Sequence, residues 1–201
     1  PAETDVSIRP GWFYHPSQDS LVKSVDKLAD IYFNSVGKNG VFLLNIPPDK
    51  RGLIHDKDIK NLQGLKRVID KTFKKDLSQN SKVKVNNDQK TVSKKNLFAN
   101  DKYWIADESR NSNSLEFILP EKVSFDVVML QEEIRVGQRI EKFHLEFWNG
   151  NEWKKFTEGT TVGYKRLLRV DPVKTDRIRL TIDESRLSPA LSNFGIYKLI
   201  K

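Results

Sequence analysis

The stretch LADIYFNSVGKNGVFLLNIPPDK, residues 28–50, decides how the chain is read, because its hydrophobic period changes in the middle. From Ser20 to Val36 the apolar side chains Leu21, Val25, Leu28, Ala29, Ile31, Tyr32 and Val36 recur at helical spacing. Asp19 or Ser20 can cap the start of that helix, and Gly37 ends it. Gly40 to Asn45 then runs apolar without a break up to Pro47-Pro48, which predicts a strand buried on both faces, the habit of parallel sheets. Working outward, a second helical pattern spans Asp56 to about Phe73 through Ile59, Leu62, Leu65, Val68 and Ile69. Upstream, Glu3 to Ile8 reads as another strand, closed by Pro10-Gly11. Strand, helix, strand, helix is α/β organisation. Two strands and two helices cannot cover both faces of a parallel sheet. Left open, the run at Val41 to Leu44 would be an aggregation-prone edge, so residues 1–77 are expected to dock on further strands.

Residues 99–201 carry a different period. Leu115, Phe117 and Leu119 alternate on one face, as do Phe143, Leu145 and Phe147. Phe125 to Leu130 follows Pro120, and Asn149-Gly150-Asn151 before Glu152-Trp153 is a hairpin signal. Arg166 to Val170, Arg177 to Ile182 and Phe194 to Ile200 supply more short strands. Many short strands and no convincing helix predict an antiparallel β-sandwich.

Between these regions, residues 78–98 hold five Lys against one Asp, half of the formal net charge of +8. The stretch is rich in Asn, Ser, Gln and Lys, so it reads as a solvated basic linker. No aromatic side chains interleave its lysines, which argues against a nucleic-acid partner. No apolar run approaches the roughly 18 residues of a membrane span. Cys is absent, which excludes thiol catalysis and thiolate metal sites. His55 and His144 lack ligand-spaced partners, and there is no phosphate-binding glycine pattern or Gly-x-Ser-x-Gly elbow. With 201 residues and Pro in the first position, the sequence reads as a piece of a longer chain.

Reactive side chains are densest in the first fifteen residues, PAETDVSIRPGWFYH. Glu3, Asp5 and Ser7 share one face of the expected strand, neighbouring Cα atoms being roughly 7 Å apart. One reading puts this face in a polar cleft, with Arg9 holding an anion or a hydroxyl cluster and Trp12 supplying a flat wall for a sugar ring. The other pairs Glu3 or Asp5 with Arg9 and buries the aromatics in a core. Arg9 to His15 and Asn45 to Asp49 both follow strands, where sites of α/β folds gather.

PAETDVSIRPGWFYH and LADIYFNSVGKNGVFLLNIPPDKRGLI together resemble the end of the catalytic barrel of glycoside hydrolase family 29, the retaining α-L-fucosidases. The segments LEFILPEKVSFDVVMLQEEIRVGQRIEKFHLEFWNGNEWKKF and GTTVGYKRLLRV resemble the discoidin-like, galactose-binding-type sandwich that such enzymes carry. The resemblance implies an α/β plus all-β chain: the last βαβα units of a (β/α)8 TIM-type barrel over residues 1–77, a basic linker over 78–98, and a jelly-roll β-sandwich over 99–201. It implies a fucosylated glycan as substrate, with the WFYH wording pointing to α1,3 or α1,4 linkages, and the upstream part of the barrel as the partner of residues 1–77. The Asp nucleophile is expected upstream of residue 1, so the fragment alone is expected to be inactive. Glu3 is a candidate active-site carboxylate. Arg9, Trp12 and Tyr14 are candidate sugar contacts, and Asn45 a supporting group, whereas His15 reads as structural. In the sandwich, Tyr103, Trp104, Trp148 and Trp153 are candidates for stacking on sugars, with core filling or a hairpin pair the alternative for the last two. Gln131, Glu132, Gln138 and Arg139 read as a polar network between strands. No cofactor is expected; relatives of the sandwich allow a structural Ca²⁺, which no carboxylate cluster here demands. Location in the periplasm or outside the cell is likewise implied. A non-catalytic carbohydrate-binding module is the alternative.

Overall fold

The computed structural model describes residues 2–86, 88, 90–98, 101–107 and 113–200. They form two compact units, one running up to Lys74 and joined by residues from Leu199 onward, the other spanning Lys75–Lys198.

In the first unit, β1 (Glu3–Ser7) pairs in parallel with β2 (Val41–Asn45), Glu3 opposite Val41 and Ser7 opposite Asn45. Between them lie a 3-10 turn over Pro16–Leu21 and α1 (Val25–Asn34); α2 (Asp56–Phe73) follows. The helical spacing places α1 too early. Ser24, whose hydroxyl accepts from Lys27 N at 3.2 Å, is the cap, and Asp19 is engaged elsewhere. Thr4, Val6 and Ile8 share a face of the strand pair with Phe42, Leu44 and Ile46, and this face meets the helices through Val22, Leu28 and Leu65. The helices approach closely at Gly64, where an added Cβ would stand 2.4 Å from a Val25 methyl. The opposite face is bare in this unit. Val41 and Leu43, expected to be buried, are 46% and 49% exposed beside Glu3 and Asp5.

The second unit is antiparallel. Its strands are β3 (Lys82–Val85), β4 (Thr91–Ser93), β5 (Trp104–Ile105), β6 (Ser114–Glu132), β7 (Ile140–Trp148), β8 (Trp153–Gly159), β9 (Arg166–Ser185) and β10 (Ala190–Tyr197). The order is β4-β3-β6-β9-β7-β8, with β10 on the far half of β6 and β5 on β10. Four expected short strands are two long ones. The register between β6 and β9 shifts around residues 119–122 of β6 and again opposite residues 170–172 of β9. Pro120 and Pro172 fall in these two irregularities, where no ladder donor is required. The two ends of β6 and β10 enclose one core, in which the Phe117 and Phe194 rings stack at 3.8 Å.

The stretch expected as a linker is structured. Residues 82–85 and 91–93 form β3 and β4, and Lys94–Phe98 forms the short helix α3; residues 87 and 89 lie outside the described ones. Alternation explains this: Val83 is fully buried while Lys82 is exposed. Lys94 is itself buried, its ammonium on Asp76 and 2.8 Å from the Ser78 hydroxyl. Burial lowers its pKa, against the pull of Asp76.

Candidate active site

The loop after β1 is fastened to the end of β2. Asn45 Nδ2 donates to the Ser7 hydroxyl at 3.1 Å and to the Trp12 carbonyl at 2.9 Å. Ser7 in turn donates to the Gly11 carbonyl at 2.7 Å, closing the Pro10-Gly11 turn. Lys23 Nζ reaches the Ser7 carbonyl at 2.6 Å, and burial lowers its pKa. The backbone of the aromatic loop is thereby fixed while its side chains face outward: Trp12 is 51% and Phe13 78% exposed.

Beneath the loop sits a buried ion pair. Arg9 is completely buried; its Nε donates to Asp58 Oδ2 at 2.9 Å and its Nη1 to Asp19 Oδ1 at 2.8 Å. The guanidinium carbon lies 4.7 Å from the centre of the Tyr14 ring. Burial opposes the charge of Arg9, but the bonds to Asp58 and Asp19 outweigh it and raise its pKa. Asp19 is held below the usual carboxylate range, chiefly by the bond from Arg9. Its other oxygen faces the Tyr14 hydroxyl at 3.5 Å and His55 Nε2 at 3.6 Å. Tyr14 is raised, first by burial and then by the Asp19 charge. His55 caps α2, its Nδ1 accepting from Lys57 N at 3.3 Å, and its Nε2 faces Asp19. The His55 and Tyr14 rings sit 5.9 Å apart.

Trp12, Tyr14 and Asn45 therefore gather at the carboxyl ends of β1 and β2. Arg9, expected at a sugar, sits under the surface with its fork engaged by carboxylates, and neither Glu3 nor Asp5 is its partner. Glu3 begins β1, roughly 13 Å of strand away from Ser7. His15 is exposed and starts the 3-10 turn. Asp19, His55 and Asp58 escaped the sequence reading. Asp19 stands where the helical pattern asks for a cap, and Asp58 is 49 residues from Arg9 with no local signal. His55 could have been found, since it stands directly before the first turn of a clear helical pattern.

In the second unit, Trp104 is buried in the core, so its ring offers no face for sugar stacking. Trp148 and Trp153 pair edge to face across the hairpin at 5.6 Å, with Arg177 and Arg179 over them. Tyr103 is half-buried. Of the polar network, Glu132 is its buried hub. Its carboxylate accepts from the backbone of Arg139 at 2.7 Å, Ile140 at 2.9 Å and Gly163 at 2.6 Å. Gln131 bridges Tyr164 and Asn193, and the Arg139 side chain caps the Ser188 carbonyl. Among the described residues no group of three or more His, Cys, Asp or Glu side chains is placed to hold a metal ion.

Residues 1–73 match the family model for alpha-L-fucosidase. The chain is similar to alpha-L-fucosidase 1 of Arabidopsis thaliana, 41% identical over 206 residues and covering 98% of this chain and 40% of that protein. Among solved structures, a candidate alpha-L-fucosidase of Bacteroides thetaiotaomicron superposes with a TM-score of 0.89 at 40% identity, over 99% of this chain and 45% of the other. A glycoside hydrolase family 29 fucosidase of Ruminococcus gnavus, solved with fucose, gives a TM-score of 0.87 at 31% identity, over 99% and 41%. The chain thus spans about two fifths of the length of the curated relatives it matches. Residues 1–73 thus match the alpha-L-fucosidase family model, and the chain as a whole is similar to about two fifths of the length of alpha-L-fucosidases.

Proposed function

We propose that this chain is part of a retaining exo-α-L-fucosidase that removes terminal α-linked fucose, in α1,3 or α1,4 linkage, from glycans. The observation that carries this reading is Trp12, half-exposed and pinned through its carbonyl to Asn45 at the carboxyl end of two parallel strands. An indole anchored there through its backbone offers an apolar face to the C–H face of a pyranose, and two residues on, the Tyr14 ring sits 5.9 Å from that of His55. β1, α1, β2 and α2 are read as the last two βα units of a (β/α)8 barrel, and residues from Lys75 on as an accessory β-sandwich. The parallel register and the bare Val41 and Leu43 support the barrel reading, since both strand edges and that face call for neighbouring strands. A periplasmic or extracellular location follows the family resemblance; no helix among the described residues is long and apolar enough to cross a membrane.

Retention requires a double displacement. An Asp attacks the anomeric carbon, while a second carboxyl protonates the leaving oxygen and later takes a proton from water. We assign the nucleophile to the part of the barrel before this segment. Proton transfer is not assigned to Glu3, which begins its strand, whereas barrel sites gather at the carboxyl ends. The test is an assay of residues 1–201 on an aryl α-L-fucoside, with and without the rest of the barrel. Turnover only by the longer polypeptide, with α-fucose as the first product by NMR, is expected. Turnover by the 201-residue chain alone would overturn the assignment of roles, and inactivity of both would overturn the fucosidase reading. A binding role for the second unit by itself has lost its Trp104 argument, since that ring is buried.

A further inference from the structure

We propose that Asp58 is a positioning residue for the aromatic wall of the fucose cleft, acting through Arg9; the inference rests on the fucosidase reading above. Asp58 lies in the first turn of α2 and, like Arg9, is completely buried. Burying two charges is expensive, and an apolar replacement of similar volume is often no less stable. This pair is also incompletely compensated: Arg9 Nη2 and Asp58 Oδ1 find no hydrogen-bond partner among the described residues. Stability alone gives a poor reason to keep such a pair, so its geometry must supply one.

The geometry aims at Tyr14. Asp58 takes Arg9 Nε, which fixes the guanidinium; Nη1 then meets Asp19, and the guanidinium carbon lies over the Tyr14 ring, 4.7 Å from its centre. Asp19 completes the cage by facing the Tyr14 hydroxyl and His55. The loop is therefore held at two points, at Trp12 by Asn45 and at Tyr14 by the Arg9 system, with Phe13 exposed between them. A lysine at position 9 could pair with one carboxylate, but it has no plane to lay under the ring and no fork to divide between two partners. No atom of Asp58 needs to touch substrate for this.

The test uses the complete enzyme, with 4-nitrophenyl α-L-fucoside as substrate and L-fucose as a binding probe. Arg9→Lys and Asp58→Asn are each expected to raise KM, and to weaken L-fucose binding, on the order of tenfold. In both, kcat should change by less than about twofold, the mark of lost binding and not of lost chemistry. The double variant should be no worse than the poorer single, because the two residues act as one unit. Asp19→Asn leaves the buried pair in place, so it covers the case in which the other variants do not fold, and it should raise KM in the same direction by less. A lowered melting temperature with KM unmoved in the folded variants would overturn the inference, as would a fall in kcat alone. No turnover by the unmodified enzyme would instead defeat the fucosidase reading and this inference with it.

Discussion

The two units treat exposed apolar surface in opposite ways. From Lys75 on, the antiparallel unit encloses its own core: Phe117, Phe125, Phe143 and Phe194 are completely buried and share one cluster with side chains of β3 and β9. The strand pair β1–β2 covers one face with its helices and leaves Val41 and Leu43 bare on the other. The difference follows from connectivity. Antiparallel strands linked by hairpins can fold back over themselves, whereas parallel strands joined by helices need further βα units to fill the second face. One unit closes its core within itself, and the other leaves one face of its strand pair uncovered.

The sharpest way to break this contrast is to separate the units. Residues 75–198 alone are expected to unfold in a single cooperative transition by circular dichroism. Residues 1–74 alone are expected to show none and to aggregate through the β2 edge and the bare face. Cooperative melting of the shorter piece would refute the comparison. Within the finished unit, Phe194→Ala removes a ring stacked on Phe117 and should cost about 3–5 kcal/mol in denaturant unfolding. A cost below about 1 kcal/mol would mean that the core is looser than its stacking suggests. The smallest effect concerns acid. The bidentate grip of Arg51, with backbone donors from Arg51 and Leu53, holds Asp49 at about 2. A depressed folded pKa contributes stability that is present above the unfolded value of about 3.9 and is lost as pH falls through about 2. The Asp49 carboxyl carbon should titrate near that value by NMR and return toward the ordinary range in Arg51→Ala; an unmoved midpoint in the variant would show that Arg51 is not the cause.

What could be read in advance depended on whether the signal was local. β2 and α2 lie where an uninterrupted apolar run and a clear helical period put them. The pattern puts the start of α1 too early because Leu21 keeps helical spacing to Val25 ahead of the true cap at Ser24. In the stretch 78–98 composition misleads, because its five lysines do not share one solvated environment. Alternation sends Val83 inward, and Asp76 with Ser78 provides a partnered seat for Lys94. For the site, Trp12, Tyr14 and Asn45 follow strands and could be found by position. The partners of Arg9 could not, since Asp58 comes from the first turn of α2, 49 residues along the chain.

The continuous β6–β9 ribbon sets the tempo at which the second unit can form. The β7–β8 hairpin turns on Asn149 and Gly150 and needs only neighbours in sequence, so it can close in about 1–10 μs. The ribbon is different: Glu116 and Arg177, bonded across it, are 61 positions apart. Their meeting bears the loop-closure entropy of everything between them before any ladder bond repays it. Assembly of this unit is therefore expected on the millisecond-to-second scale of non-local β folds. During that interval β7 and β8 would exist as a hairpin waiting for its sheet.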